Sequence, residues 1–381
     1  MELLKLGQAA AFKVDVPLPF NVRDEQGKLL LAKGRIISAA QLGVLLSRGM
    51  YVDREEYRAA AAAAARAAQR GGSDATRVHL SAFDLWEQCV GQLDRLLRGM
   101  AGEPDFPARI DAFAQQFVKL VDQDPDVAIF VSMRQEPHRM HLYALTHALH
   151  TALACRLAGH RLGWPEDRQR TLVKAALTMN VAMLDLQGRL ATQGAPLTED
   201  QRRILAAHPD AGCDMLGAAG VADADWLDAV RDHHEREGGG GYPRGKPDPH
   251  ELAAVLRLAD VFMAKISPRA ARPPLSIQEA ARRMFDESAG SPVAAAMIKG
   301  YGVYPPGDFV QLASGETAVV IRGGETAHTP IVVAITDRTG VPTVNTPRRD
   351  TAQAAYRIVG PARGGRHALP VSVERLYGLA R

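Results

Sequence analysis

The sequence predicts a mainly α-helical protein with a small β-rich N-terminal module and a small antiparallel β element near its C-terminus. Apolar residues such as Leu85 and Cys89 recur at helical spacing throughout residues 79–299. Alternating and β-branched patterns, which are typical of strands, are confined to residues 1–54 and 300–381. The 381 residues, 46% hydrophobic and 23% charged, suffice for about two or three domains with ordinary cores.

The N-terminal module is predicted from short apolar runs that are separated by turn residues. The predicted elements are strands at residues 12–16, 20–22, 29–31 and 50–52, turns at 24–27 and 32–34, and a helix at 38–48. Residues 55–78 follow as a helical or partly disordered linker, because their alanines favour helix but are too uniform to specify a packed core.

The C-terminal element is predicted from three β-branched runs that are separated by Gly-rich turns. These runs are residues 309–312, 318–321 and 331–335. We expect them to form an antiparallel sheet that packs on the helical domain, so the domain boundaries are placed at residues 1–54, 55–78, 79–299 and 300–381.

Charge and cysteine content limit the function classes. The chain has 46 basic and 43 acidic residues, and this balance gives no support for nucleic-acid or membrane binding. Cys89, Cys155 and Cys213 form no CxxC motif and are expected to be reduced thiols. No run reaches the ~18–20 apolar residues of a membrane span, and no signal peptide is recognisable, so a cytoplasmic protein is expected.

The histidines are concentrated in one part of the chain, since nine of the twelve lie between residues 138 and 250. The most informative string is HHEREGGGGYPRG at residues 233–245. Imidazole is a common ligand of first-row metals, and glycines let backbone amides approach a ligand closely. The alternative interpretation is a flexible Gly-rich loop in which the two histidines have no common role.

This string resembles the HHE-x-x-x-G-x-GYP-x-G signature of the HD-GYP domain, a branch of the HD superfamily of metal-dependent phosphohydrolases. Other segments match the family in order: 146–148 with a ligand histidine, 197–212 with LT-x-E…HP-x-x-G, 256–262 with a ligand aspartate, and 301–307 with a C-terminal extension. The resemblance implies an HD-superfamily helical bundle with its core at residues 140–285, and a role in cyclic-di-GMP signalling.

The resemblance also implies a set of site residues. The implied metal ligands are His147, His208, His233, His234 and Asp260. The implied ligand-binding residues are Gly239, Gly241, Tyr242, Pro243, Arg236, Arg244, Arg269 and Arg272. Arginine guanidinium groups are suited to phosphate because they can donate two parallel hydrogen bonds.

The chain departs from the family where the His-Asp pair is expected. Residues 175–183 read AALTMNVAM, where the family pattern is A-A-L-L-H-D-I-G-K. Met179 stands in place of the histidine, Asn180 in place of the bridging aspartate and Met183 in place of the lysine. Asn180 offers a neutral carbonyl without bridging charge, and the Met179 thioether suits Mg²⁺, Mn²⁺ or Fe²⁺ poorly.

These departures predict no metal, or a single Fe, Mn or Zn ion held by the three histidines, rather than a binuclear centre. The expected function is a degenerate HD-GYP-like signalling protein, catalytically impaired, that binds cyclic-di-GMP, a related cyclic dinucleotide or a protein partner at the GYP loop. The alternative is an active phosphodiesterase with a reduced metal centre that releases pGpG or GMP, so enzymatic activity is left open. A homodimer through residues 79–125 is also left open.

Overall fold

The structure of the protein is a computed structural model that describes residues 3–5, 18–35, 51–59, 81–102, 104–134, 140, 142–343, 345–362 and 373–378. The chain divides into two compact units, Met1–Asp84 and Leu85–Arg381. The helical region and the C-terminal sheet therefore lie in one unit, and the finer four-part division stays a prediction.

The N-terminal unit contains a four-stranded antiparallel sheet. Its strands are β1 Leu3–Lys5, β2 Val22–Arg23, β3 Leu29–Leu31 and β4 Tyr51–Asp53, in the order β1-β4-β2-β3. The predicted strand at 29–31 and the flanking turns are confirmed, with Gly27 and Gly34 in the left-handed region. The predicted strand at 12–16, the helix at 38–48 and linker residues 60–78 lie outside the described residues.

The second unit is mainly helical, as predicted. The described α-helices are α1 Ala82–Gly99, α2 Phe106–Gln123, α3 Pro125–Met133, α4 Tyr143–Arg161, α5 Glu166–Thr178, α6 Leu184–Thr192, α7 Glu199–Ala218, α8 Ala224–Asp232, α9 Glu251–Ile266, α10 Ile277–Glu287, α11 Pro292–Tyr301 and α12 Val373–Tyr377. Within the described ranges, none of these helices combines the length and the apolar character that a membrane span requires.

Helix α4 lies at the centre of this unit. It contacts α5, α6, α9 and α11, and residues on all of its sides are buried, including Leu149 and Leu153. The helix is rich in aliphatic residues and alanine on every side. This composition suits a helix that is surrounded by other helices, because no face is exposed to water. This burial carries His147 into the interior of the unit.

The C-terminal sheet has five antiparallel strands and packs against α3. The strands are β5 Phe309–Leu312, β6 Thr317–Arg322, β7 Ile331–Ala334, β8 Arg348–Asp350 and β9 Ile358–Pro361, in the order β8-β7-β6-β5-β9. The three predicted strands are confirmed. Gly315 closes the β5–β6 turn with φ +90°, and a Cβ there would lie 2.6 Å from the Arg338 carbonyl oxygen.

A buried ion pair ties two parts of this sheet together. The Glu316 carboxylate accepts a 2.8 Å hydrogen bond from Arg349 Nη2 and a 2.7 Å bond from Ser314 Oγ. The Glu316 side chain is 5% exposed, and the hydrogen bond from Arg349 holds the pKa of Glu316 below its ordinary value.

We expect Glu316→Gln to destabilise the sheet by about 1–2 kcal/mol at pH 7, because a hydrogen bond to a charged group is lost. The folded-state pKa lies below the unfolded one, so this stabilisation is present above about pH 4.5 and disappears as the pH falls. Urea unfolding at pH 7 and pH 3.5 would check this; an equal loss at both pH values would contradict it. Glu325→Gln, on an exposed carboxylate, is the control.

Candidate metal-binding site

Three histidines from α7 and from the end of α8 converge in the helical unit. One ligand atom from each of His208, His233 and His234 lies within 4.8 Å of the other two. The Nε2 atoms of His208 and His233 are 3.1 Å apart. The predicted convergence of these three residues is therefore present, and they could hold one metal ion.

Local sequence explains how His208 is oriented. A capping box between Thr198 and Gln201 starts α7, and Pro209 follows His208 inside the helix. Pro209 has no N–H, so the carbonyl of Leu205, four residues earlier, lacks its helical donor. That carbonyl instead accepts a 2.7 Å hydrogen bond from His208 Nδ1.

A helix end orients His233 in the same way. His233 is the C-cap of α8, where the last carbonyls have no helical donor, and the Val230 carbonyl accepts from His233 Nδ1 at 2.5 Å. With both Nδ1 atoms donating, the Nε2 atoms of His208 and His233 present lone pairs to each other. Two acceptors at this distance repel unless a cation lies between them, so this donor set fits a metal ion.

Burial keeps the three imidazoles neutral. It lowers the pKa of His208 to about 3, with a further contribution from His233, and it also lowers the pKa values of His233 and His234. Neutral imidazole is the form that binds metals, so no proton has to be removed at neutral pH.

The other two predicted ligands bind each other. His147 Nε2 lies 2.7 Å from Asp260 Oδ1, and His147 Nδ1 lies 3.3 Å from the Tyr143 hydroxyl. Arg269 donates from Nε to the same hydroxyl at 3.1 Å. Burial alone would raise the pKa of Asp260, but the hydrogen bond with His147 holds it below its ordinary value.

The three departures from the family pattern are buried where the chain contacts α7, the helix that carries His208. Met179, Asn180 and Met183 lie at the end of α5 and in the following turn, and they are 0%, 6% and 7% exposed. A Cβ at Gly212, on the His208 helix, would lie 3.6 Å from the Met179 carbonyl oxygen. Asn180 Oδ1 has no hydrogen-bond partner among the described residues.

Two buried carboxylates fix the loop that follows the histidines. Glu235 accepts hydrogen bonds from the backbone N–H groups of Arg244 and Lys246, at 2.8 and 2.9 Å. Asp232 accepts from the Arg244 guanidinium and the Lys246 ammonium group, both at 2.7 Å. The sequence predicted no role for Asp232 or Glu235, although each is an acid next to the histidine pair.

Glycine is required at positions 239 and 241 of this loop for two different structural reasons. Gly239 has φ +89°, which an L side chain rarely adopts, whereas Gly241 has no room, because a Cβ there would lie 2.4 Å from the Glu235 Cα. The Tyr242 ring stacks on His234 with 4.5 Å between centroids, and Tyr242 is 37% exposed. Its peptide bond to Pro243 is cis.

The four predicted ligand-binding arginines differ in their hydrogen-bond and ion-pair partners. Arg244 is bound to Asp232, Arg269 to Tyr143, and Arg272 donates to the Ala264 carbonyl. Arg236 is exposed and has no described partner. A further residue, Arg257, acts on His234 through its charge, which adds to the lowering of the His234 pKa that burial causes. Its position in the apolar run of α9 gave no signal that distinguished it from a surface arginine.

Comparison with known proteins agrees with this architecture. Residues 131–291 match the family model of the HD domain. The cyclic di-GMP phosphodiesterase PA4108 of Pseudomonas aeruginosa is 29% identical over 203 residues, which are 51% of this chain and 49% of the relative. The cyclic di-GMP phosphodiesterase response regulator RpfG of Xanthomonas campestris is 31% identical over 118 residues, which are 30% of this chain and 31% of the relative. The chain thus spans about half the length of the first and less than a third of the second.

A solved structure supports the fold over a larger part of the chain. The structure of Bd1817, an HDG"Y"P protein from Bdellovibrio bacteriovorus, superposes with a TM-score of 0.52 at 14% identity and covers 78% of this chain and 99% of its own. Together with the converging histidines and the loop that contains Tyr242-Pro243, these similarities show that residues 131–291 form an HD domain, and they support its assignment to the HD-GYP family.

Proposed function

We propose that this protein is a degenerate HD-GYP signalling module that binds cyclic-di-GMP or a related cyclic dinucleotide and has little or no phosphodiesterase activity. The observation that carries this proposal is the buried, neutral Asn180, which the resemblance aligns with the aspartate that gives two cations a shared negative charge. Two cations about 3.5–4 Å apart repel strongly without such a bridge.

The local packing supports the alignment that places Met179 and Asn180 at the His-Asp positions. Both residues lie beside α7, which carries His208, since the Met179 carbonyl faces Gly212. The side chain of Met179 is fully buried and that of Asn180 nearly so. Both side chains are therefore buried near the helix that carries His208, in agreement with an alignment to the two metal ligands of a His-Asp pair.

His147 and Asp260 are the two implied ligands that remain for a second metal ion. Their direct 2.7 Å contact gives each a partner within the protein. A second metal would have to displace this buried pair and would find only the neutral Asn180 carbonyl beside it. We therefore propose at most one Fe, Mn or Zn ion, which His208, His233 and His234 would hold.

The ligand is proposed from the relatives and from the loop. Both curated relatives are named as cyclic di-GMP phosphodiesterases. The exposed ring of Tyr242, held against His234, offers a flat surface for a base. The protein partner at this loop and the homodimer expected from the sequence stay predictions.

A second candidate function is a phosphodiesterase with a single metal, and the orientation of the histidines favours it. The Nε2 atoms of His208 and His233 point to a common position, as a metal-binding set requires. A bound divalent cation would supply Lewis-acid chemistry and would acidify a water molecule. Met183 supplies no ammonium group near the phosphate, so we expect at least about 10²-fold lower turnover than in a complete site.

Calorimetry and product analysis on the same preparation separate the two functions. We expect cyclic-di-GMP to bind, and incubation with Mn²⁺ or Fe²⁺ to leave it intact by chromatography. Release of pGpG or GMP, abolished by His233→Ala, would replace the first proposal with the second. Absence of cyclic-di-GMP binding with and without metal would refute both.

Restoring the family ligands should restore metal binding. We expect Met179→His with Asn180→Asp to increase the amount of Mn²⁺ or Fe²⁺ that copurifies with the protein, because a nitrogen ligand and a bridging carboxylate are added. Elemental analysis of the purified variant measures this. Asn180→Asp alone is the control and should give a smaller gain. An unchanged metal content in the double variant would contradict the alignment.

A further inference from the structure

Arg257 lies on the side of helix α9 that faces the histidines. It is three residues before Asp260, and residues at this spacing share one face of a helix. Asp260 contacts His147, while the charge of Arg257 acts on His234. The Arg257 side chain is half-buried, and the charges of Arg236 and Glu237, in the loop that begins at Glu235, act on it.

Among the described residues, no carboxylate oxygen lies within ion-pair distance of Arg257, and its guanidinium group makes no hydrogen bond. Three carboxylates influence Arg257 from farther away: Glu287 is bound to Lys265 at 2.6 Å, Asp260 is bound to His147, and Glu237 is exposed. Arg244 and Arg269, in contrast, both have partners in the fold.

Arg236 is a second cation without a described partner, and its charge acts on Arg257. The pKa of Arg257 is below its ordinary value because burial and then the positive charge of Arg236 disfavour its protonated form. Arg236 is exposed and follows His234 by two residues. Two like charges beside a half-buried position cost folding free energy, and an anion between them would offset that cost.

We propose that Arg257 and Arg236 form an anion subsite beside His234 and Tyr242 that binds a phosphate group. Guanidinium groups donate paired hydrogen bonds to phosphate oxygens, and a half-buried guanidinium is less screened than an exposed one. The subsite deepens the proposed function, since it supplies positive charge at a site where Met183 supplies none. With Tyr242 alongside, it selects a phosphate that carries an aromatic base.

Pyrophosphate is the probe that tests the subsite directly. Isothermal titration calorimetry at low salt on the full chain should show binding that Arg257→Met weakens at least about tenfold, the effect of losing a hydrogen bond to a charged group. Arg236→Met should weaken it less, since Arg236 is exposed. Arg348→Met removes the same charge from an exposed position in the C-terminal sheet and should change the affinity less than about twofold.

Stability distinguishes a ligand-binding role from a structural one. Since Arg257 has no described partner, Arg257→Met should leave the Tm unchanged or raise it. A clear fall in Tm, an unchanged affinity for pyrophosphate in this variant, an equal loss in Arg348→Met, or no binding to the unaltered protein would each overturn the subsite. If pyrophosphate binding depends on Arg257 but cyclic-di-GMP does not bind, the subsite stands and the proposed ligand is wrong.

Discussion

Replacement of His147 by alanine is expected to destabilise the helical unit by about 3 kcal/mol, because it leaves the buried Asp260 carboxylate without its closest partner. Asp260 is 9% exposed and receives the 2.7 Å contact from His147 Nε2. Without the hydrogen bond from His147, burial raises the pKa of Asp260. Part of the lost stability therefore appears as protonation of the Asp260 carboxylate. Urea unfolding followed by helical circular dichroism measures the change.

The double variant His147→Ala with Asp260→Asn separates the lost pair from the lost side-chain volume. It should recover part of the stability, since no buried charge remains. Equal unfolding free energies for the single and double variants would show that Asp260 does not depend on His147. The measurements are made with and without EDTA; a loss that occurs only without EDTA would assign these residues to a metal instead of to each other.

Gly241→Ala is expected to disrupt the loop, at a cost of about 3 kcal/mol, and to abolish cyclic-di-GMP binding. The added methyl group would lie 2.4 Å from the Glu235 Cα and 2.6 Å from the Arg236 nitrogen, and both are backbone atoms that cannot rotate away. The Glu235 carboxylate ties the other side of the loop to the backbone, so the strain passes to Tyr242 and to its stacking on His234.

Gly240→Ala is the matched comparison one residue earlier. Gly240 has φ +78°, but a Cβ added there would meet no described atom within 4 Å, so only the left-handed backbone is penalised, by about 1–2 kcal/mol. Limited proteolysis of the loop and calorimetry with cyclic-di-GMP should rank Gly241→Ala well above Gly240→Ala. Similar effects for the two variants would mean that backbone conformation, and not the contact with Glu235, controls the loop.

The helical architecture could be predicted because helical periodicity is a local signal, and the histidine cluster because local motifs carry the resemblance to the HD-GYP domain. Helical periodicity, the HP dipeptide at His208 and the HHE string each lie within a few residues. The strands Arg348–Asp350 and Ile358–Pro361 were missed. The first has no apolar residue and the second ends in Gly-Pro, so neither has a strand pattern, and their pairing with β7 and β5 creates them.

The partners of individual charges could not be predicted, because they depend on residues far apart in the chain. His147 and Asp260 are separated by 113 positions, and the sequence identifies both as ligand types without indicating that they bind each other. The sequence alone does not indicate which of Arg257 and Arg244 has an acidic partner. Only the fold shows that Asp232 binds Arg244 and that no described carboxylate lies within ion-pair distance of Arg257.

The hydrogen bonds of Asp232 and Glu235 to the loop reduce the conformational entropy that is lost when a ligand binds. Fixing one residue of a flexible chain costs about 1–2 kcal/mol, and an untethered segment would lose this free energy each time it closed on a ligand. Here the fold itself has already ordered residues 235–246 through two buried carboxylates. A ligand that meets Tyr242 therefore contacts a prearranged surface, and its affinity is reduced little by loop ordering.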